Sequence, residues 1–244
     1  PLLADQPQGY LGFPVVMVGA QMELFPTAKS HTMAPKLRRI GLLASYDRVL
    51  KIESRVSYRD DGGAERSVPV PTKQESFAIG GAYRWLVGKA QTGPVVQAQL
   101  RYNQLKFVFD TSTLAALPGD VRFDVPSVTY KYLDPGMGLR LPIGESTKFI
   151  VDGRVFIMMS TGDLQREDQY GATKVLGFDF DAAFDFLATK KVYIRAGFRY
   201  SRFSHTFGGN GELSNNRDND PTDIDVSGAR DNFMSGYLQS GFNF

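Results

Sequence analysis

The chain has 244 residues, with 28 Lys plus Arg against 26 Asp plus Glu, two histidines and no cysteine. A net charge of +2 supplies no basic excess of the kind a nucleic-acid partner selects; the missing cysteines exclude disulfides and thiolate chemistry, and two histidines exclude a multi-histidine metal site in one chain. Apolar residues make up 42% of the chain, which argues against disorder, and no apolar run approaches the roughly 18 residues of a spanning helix.

The dominant pattern is a period of two, so that alternate side chains fall on opposite faces of strands. Gly12 to Phe25 sets Val16, Val18, Ala20, Met22 and Leu24 against Gly19, Gln21 and Glu23. Leu37 to Asp47 puts Ile40, Leu42, Ala44 and Tyr46 on one face, and that face runs on through Leu50, Ile52 and Val56, interrupted by Arg48. Segment 48–59 is therefore either a separate strand or the upper part of one long strand. Strands follow at 74–87, 94–109, 127–141, 147–160, 173–187, 190–204 and 231–244.

The clearest case is Thr173 to Phe186, with Leu176, Phe178, Phe180, Phe184 and Phe186 on one face and Asp179, Asp181 and Asp185 on the other. The next segment sets Val192, Ile194, Phe198 and Tyr200 against Lys191, Arg195 and Arg199. A hairpin register whose residue numbers sum to 376 places Asp185 opposite Lys191 and Asp181 opposite Arg195. Such opposite-charge pairs contribute about 0.2–1 kcal/mol each.

Short connections at 87–94, 142–146 and 187–190 alternate with long polar ones at 60–73, 110–126, 160–172 and 205–230. That alternation of turn and loop is expected of an antiparallel transmembrane β-barrel, in which strands of about 9–11 residues suffice to cross. The apolar faces carry almost no charge. The polar faces collect Arg84, Arg101, Arg140, Arg154, Lys191, Arg195 and Arg199 with Asp152, Asp179, Asp181 and Asp185, among many Gly, Ser and Gln. This suits an enclosed interior filled by paired charges, too narrow for an open porin. Tyr83, Trp85, Tyr102 and Tyr200 lie near the ends of apolar stretches, where amphipathic rings favour a membrane–water interface.

The chain stops at Ser240-Gly241-Phe242-Asn243-Phe244. This final strand resembles the C-terminal signature of Gram-negative outer-membrane β-barrel proteins. The resemblance implies export, residence in the bacterial outer membrane among its lipid and lipopolysaccharide, and Phe242 and Phe244 as an insertion signal for the barrel-assembly machinery. The expectation is thus an all-β, single-domain barrel of about ten strands, with a first strand upstream of Pro1; eight strands with an N-terminal arm is the alternative. Pro1 opens no signal-peptide pattern.

Two phase features stand out. The charged parity of 94–109 turns apolar at Leu105, Phe107 and Phe109, and Tyr130 and Tyr132 differ in parity from Met137 and Leu139 across Asp134-Pro135-Gly136. Proline inside a strand marks an edge or a bulge. The expectation is an apolar plug of these aromatics inside the loop end; a bulge that turns them outward is the competing reading.

Chemistry is sparsely signalled. His205, beside Ser204 and Thr206, is a weak hydrolase candidate, because Phe207 occupies the position two residues on where a deacylase-like serine is needed. Asp218, Asp220, Asp223 and Asp225 are weak Ca²⁺ candidates whose spacing is broken by Pro221 and Thr222. Lys36-Leu37-Arg38-Arg39 is a basic cluster placed for lipid phosphates and too short for nucleic acid. No cofactor is expected. The expected role is a non-enzymatic anchor or scaffold for another envelope protein, with a narrow transport channel as the alternative.

Overall fold

The structure, a computed structural model, describes residues 15–28, 32, 34, 36–59, 65–88, 93–110, 112, 127–189, 191–215, 222 and 224–242, with side chains described throughout except at 53–59, 65 and 66. It is all-β. The strands are β1 (Met17–Leu24), β2 (Ile40–Val49), β3 (Ile52–Arg59), β4 (Glu65–Leu86), β5 (Val95–Phe109), β6 (Val128–Pro142), β7 (Thr147–Ser160), β8 (Thr173–Leu187), β9 (Val192–Phe207) and β10 (Gly228–Phe242). Neighbours in sequence pair antiparallel in one sheet, in the order β1-β2-β4-β5-β6-β7-β8-β9-β10, with β3 also on β4.

Strands β2 and β3 are two halves of one bent strand. Arg48 lies opposite Glu75 and Ile52 opposite Thr72, so four steps along one chain answer three along the other. One extra residue makes a β-bulge at Val49–Lys51, and a bulge flips the faces beyond it. Arg48 stays exposed on the convex face, while Ile52 turns in against the buried cluster. The sheet therefore has nine antiparallel strand positions among the described residues, the count that follows when 40–59 is one long strand. The apparently continuous even-numbered face misleads because the bulge swaps its sides.

A second difference concerns 60–73, expected to be a loop. Strand β4 starts at Glu65 and runs for 22 residues. Above Thr72 it has β3 on one side but no β5 partner, because β5 ends at Phe109 opposite Thr72. Prolines lacking an N–H are tolerated at such an edge, and Pro69 and Pro71 both sit there, exposed.

Nor does Pro135 produce a bulge. It continues the ladder opposite Leu100, and the irregularity falls instead between Lys131 and Tyr132 on the β7 side. Tyr130, Tyr132, Asp134, Gly138 and Arg140 thus share one parity, and Met137, Leu139 and Leu141 the other.

The sheet is strongly curled, as contacts across its concave side require. Glu23 on β1 accepts from Arg140 on β6, and Tyr130 on β6 donates to Asp231 on β10. The convex face is apolar: Ile79, Leu100, Met137, Val155, Phe178, Phe180, Phe184, Phe198 and Leu238 are all exposed on it. The core lies on the concave side, at the loop end.

Small residues line the concave wall where charged side chains cross it. A Cβ on Gly80 would overlap the Leu100 carbonyl and the Arg101 backbone, whereas on Gly81 it would meet only the Gly41 carbonyl at 3.7 Å. Gly80→Ala is expected to lose about 1–3 kcal/mol by overpacking, and Gly81→Ala to be near neutral. Paired denaturant titrations check this, and equal losses at both positions would refute the assigned faces.

Candidate functional site

The concave side divides into two storeys. The storey toward the short turns is ionic. Arg154 donates to Asp179 Oδ1, while Arg199 Nε and Ser201 Oγ each donate to Asp179 Oδ2 at 2.6 Å. Arg101 pairs with Asp134, whose side chain is 1% exposed. Arg84 and Arg140 share Glu23, and Arg84 Nε also donates to Gln97 Oε1 at 2.8 Å. Arg195 grips Asp185 with two parallel bonds, Nε to Oδ1 at 2.6 Å and Nη2 to Oδ2 at 3.0 Å.

This network departs from the expected hairpin register. In the β8–β9 ladder Asp185 faces Arg195 and Asp181 faces Arg199, a sum of 380 rather than 376. The turn decides it: Thr189 Oγ1 accepts from the backbone N–H groups of Lys191 and Val192, which shifts the hairpin centre two residues onward. A shift of four in the sum keeps every face and changes every partner. Lys191 is accordingly an exposed turn residue outside the network.

Asp152 and Asp181 lie directly opposite each other. Asp181 accepts from the Tyr237 hydroxyl, which lies 2.9 Å from its Oδ1 and 3.1 Å from its Oδ2, whereas the buried Asp152 Oδ1 has no hydrogen-bond partner among the described residues. With Glu23, Asp47, Gln99, Arg140, Arg195 and Arg199 they line a polar cavity of about 170 Å³. Gln99 Nε2 and Arg140 Nη1 also lack partners there. Ordered water supplies such missing bonds in polar cavities of this size.

The loop-end storey is apolar and aromatic. Leu105, Phe107, Phe109, Tyr130 and Tyr132 are gathered into one buried cluster with Val70, Val128, Phe156, Phe203 and Phe207. Phe203 is its hub: fully buried, it stacks on Tyr130 with ring centroids 4.3 Å apart and meets Phe156 at 4.9 Å and Tyr132 at 5.7 Å. Leu164, Tyr170 and Val226, from the two long loops, close over it. The loops are joined by backbone bonds from Glu212 N to Glu167 O and from Leu213 N to Gln169 O.

His205 lies within this cluster, not at a solvated rim. Its side chain is 1% exposed, and its Nε2 is 3.0 Å from the Tyr130 hydroxyl, which also donates to Asp231. Alternation turns Ser204 and Thr206 to the convex side, so neither neighbouring hydroxyl can serve His205 as a nucleophile.

Sequence reasoning missed several members. Glu23, Asp47, Asp134 and Tyr237 belong to the ionic storey, and Phe156, Phe203, Tyr170 and Leu164 to the aromatic one. Phe203 and Phe207 share the parity of Arg195 and Arg199, a signal that was readable; Leu164 lies in a short 3-10 turn and Tyr170 in the loop after it, outside the strand alternation. Asp218, Asp220, Asp223 and Phe244 lie outside the described residues, and among the described residues no cluster able to hold a metal ion occurs. Phe242 ends β10 on the exposed convex face.

No family model, curated protein or solved structure matches this chain.

Proposed function

We propose that the chain is an integral outer-membrane β-barrel acting as a structural anchor or scaffold for other envelope proteins. One observation carries the membrane reading: across the described strands the convex face is a wall of exposed aliphatic and aromatic residues, while the buried ion pairs lie on the concave side. Water would favour the reverse arrangement, and a bilayer favours this one.

Strands β1 and β10 both run from the loop end to the short-turn end, so they share a direction and cannot pair antiparallel with each other. One further strand of opposite direction would close the wall. That supports a ten-strand barrel, since an open edge in hydrocarbon leaves backbone groups unsatisfied. The partners on this reading are outer-membrane lipid and lipopolysaccharide, the barrel-assembly machinery during insertion, and an envelope protein.

The aromatic cluster filling the loop end favours an anchor over an open pore. The polar cavity below it favours, as a second reading, a narrow channel. Phe180→Arg tests the membrane claim. Near mid-bilayer it is expected to cost about 2–4 kcal/mol of folding stability in vesicles, whereas on a water-facing wall it would cost nothing. Crosslinking of native membranes followed by mild-detergent purification tests the anchor: recovery without any envelope partner counts against it. Bilayer conductance that is lost on replacing Arg101 or Arg195 would establish the channel instead.

A further inference from the structure

The convex wall is asymmetric in charge. Following each strand from its apolar stretch toward the loop end, the first charged side chain of the convex parity is a cation on six strands, while β1 and β7 carry no charge on that face. On β2 Tyr46 is followed by Arg48; on β5 Tyr102 leads through Gln104 to Lys106; on β6 Leu133 gives way to Lys131. On β8 Leu176 is bordered by Lys174, on β9 Tyr200 by Arg202, and on β10 Met234 leads through Asn232 to Arg230. The exception is Glu75 on β4, the one acid of the convex parity among the described side chains of the strands. It is flanked in register by Arg48 and Lys106 and bonds the latter at 3.3 Å. At the opposite margin Trp85, Val96, Leu141, Phe149, Phe186 and Phe242 end the strands' apolar face without a charge, and the basic residues at that end, Lys36, Arg38 and Arg39, stand in the turn that precedes β2.

Two pairs of these cations are close neighbours. Lys131 lies opposite Gln104, one alternation from Lys106. Arg230 lies opposite Ser204, one alternation from Arg202, whose Nε donates to Ser204 Oγ along the wall. Diagonal neighbours on adjacent strands stand about 7–8 Å apart, a separation that two long basic side chains span to reach one phosphate.

We propose that this margin binds the phosphates of anionic lipid headgroups in the loop-side leaflet, with Lys106/Lys131 and Arg202/Arg230 as its two principal seats. The inference rests on the membrane reading above and gives that wall a polarity. Apolar residues take the acyl chains, the tyrosines mark the hydrocarbon boundary, and the basic groups stand at headgroup depth. Guanidinium groups fit phosphate oxygens by paired hydrogen bonds.

The test uses the full chain folded into vesicles of phosphatidylcholine alone or phosphatidylcholine mixed with bisphosphorylated lipid A. Insertion is read by protease protection, and lipid retention by native mass spectrometry after gentle extraction. The wild type is expected to retain lipid A selectively. Retention should fall about fivefold for each cation removed in K106Q/K131Q and in R202Q/R230Q, with insertion into neutral vesicles unchanged. Equal retention by wild type and both variants overturns the proposal while leaving the membrane reading intact. Failure of the wild type to insert into either vesicle overturns both. All four side chains lie on the outer wall, and each double variant is judged separately, so loss of folding in one leaves the other decisive.

Discussion

Replacing Asp179 by alanine is expected to lower folding stability by about 3–5 kcal/mol, the cost of breaking a buried ionic cluster at one member. Asp179 is 0% exposed and accepts from Arg154, Arg199 and Ser201. Without it Arg154, itself 8% exposed, keeps its charge and loses the acceptor that both its described hydrogen bonds use. Asp185→Ala is the comparison. Its partner Arg195 is similarly oriented, but the pair sits beside the short turn with about 13–14% of each side chain exposed, so water replaces part of what is lost. Urea titration of protein folded in vesicles measures both. A loss at Asp179 no larger than that at Asp185 would show that the cluster is not what fixes the wall. Removing both charges at once, as Arg154→Met with Asp179→Leu, should recover part of the loss, because desolvation opposes the ion pair to begin with.

Phe203→Ala carries the second large effect, a loss of about 3–5 kcal/mol from cavity formation. The ring is fully buried between Tyr130, Tyr132, Phe156 and Phe233, and truncation leaves all four facing a void. On the proposed reading the same change thins the plug at the loop end, and ion leakage through a planar bilayer should rise. Phe198→Ala provides the contrast: it lies on the same strand but on the convex face, where it is 45% exposed. On the proposed reading lipid fills the space of the lost ring there, so the stability loss should be smaller and the leakage unchanged. Indistinguishable stability and leakage for the two variants would contradict the assignment of Phe203 to an interior plug.

The alternation from Thr173 to Phe207 exposes the two faces of β8 and β9 directly in the sequence, because a strand's period of two is local and needs no partner. The same logic extends to Leu105, Phe107, Phe109, Tyr130 and Tyr132, whose parity matches that of Arg101 and Asp134 and brings them to one interior. Register was a different matter. Sums of 376 and 380 preserve every face, so hydrophobic patterning cannot choose between them; the Thr189 cap and the two bonds between Arg195 and Asp185 make the choice. The bulge between β2 and β3 escaped for a related reason. One extra residue moves Ile52 from the convex to the concave side while the residue types remain compatible with an unbroken run. The strand character of 65–72 was masked by Pro69 and Pro71, which are acceptable there only because β5 ends below them.

By itself, then, the order of residues determined an all-β chain with one greasy and one charged face per strand, since steric alternation acts between adjacent residues. The partners of those charges were decided by curvature. Glu23 meets Arg140 across 117 positions of chain, and Tyr130 meets Asp231 across 101. Such encounters depend on how far the sheet bends and on each ladder's offset. Those are properties summed over all the strands, and no short window of sequence contains them.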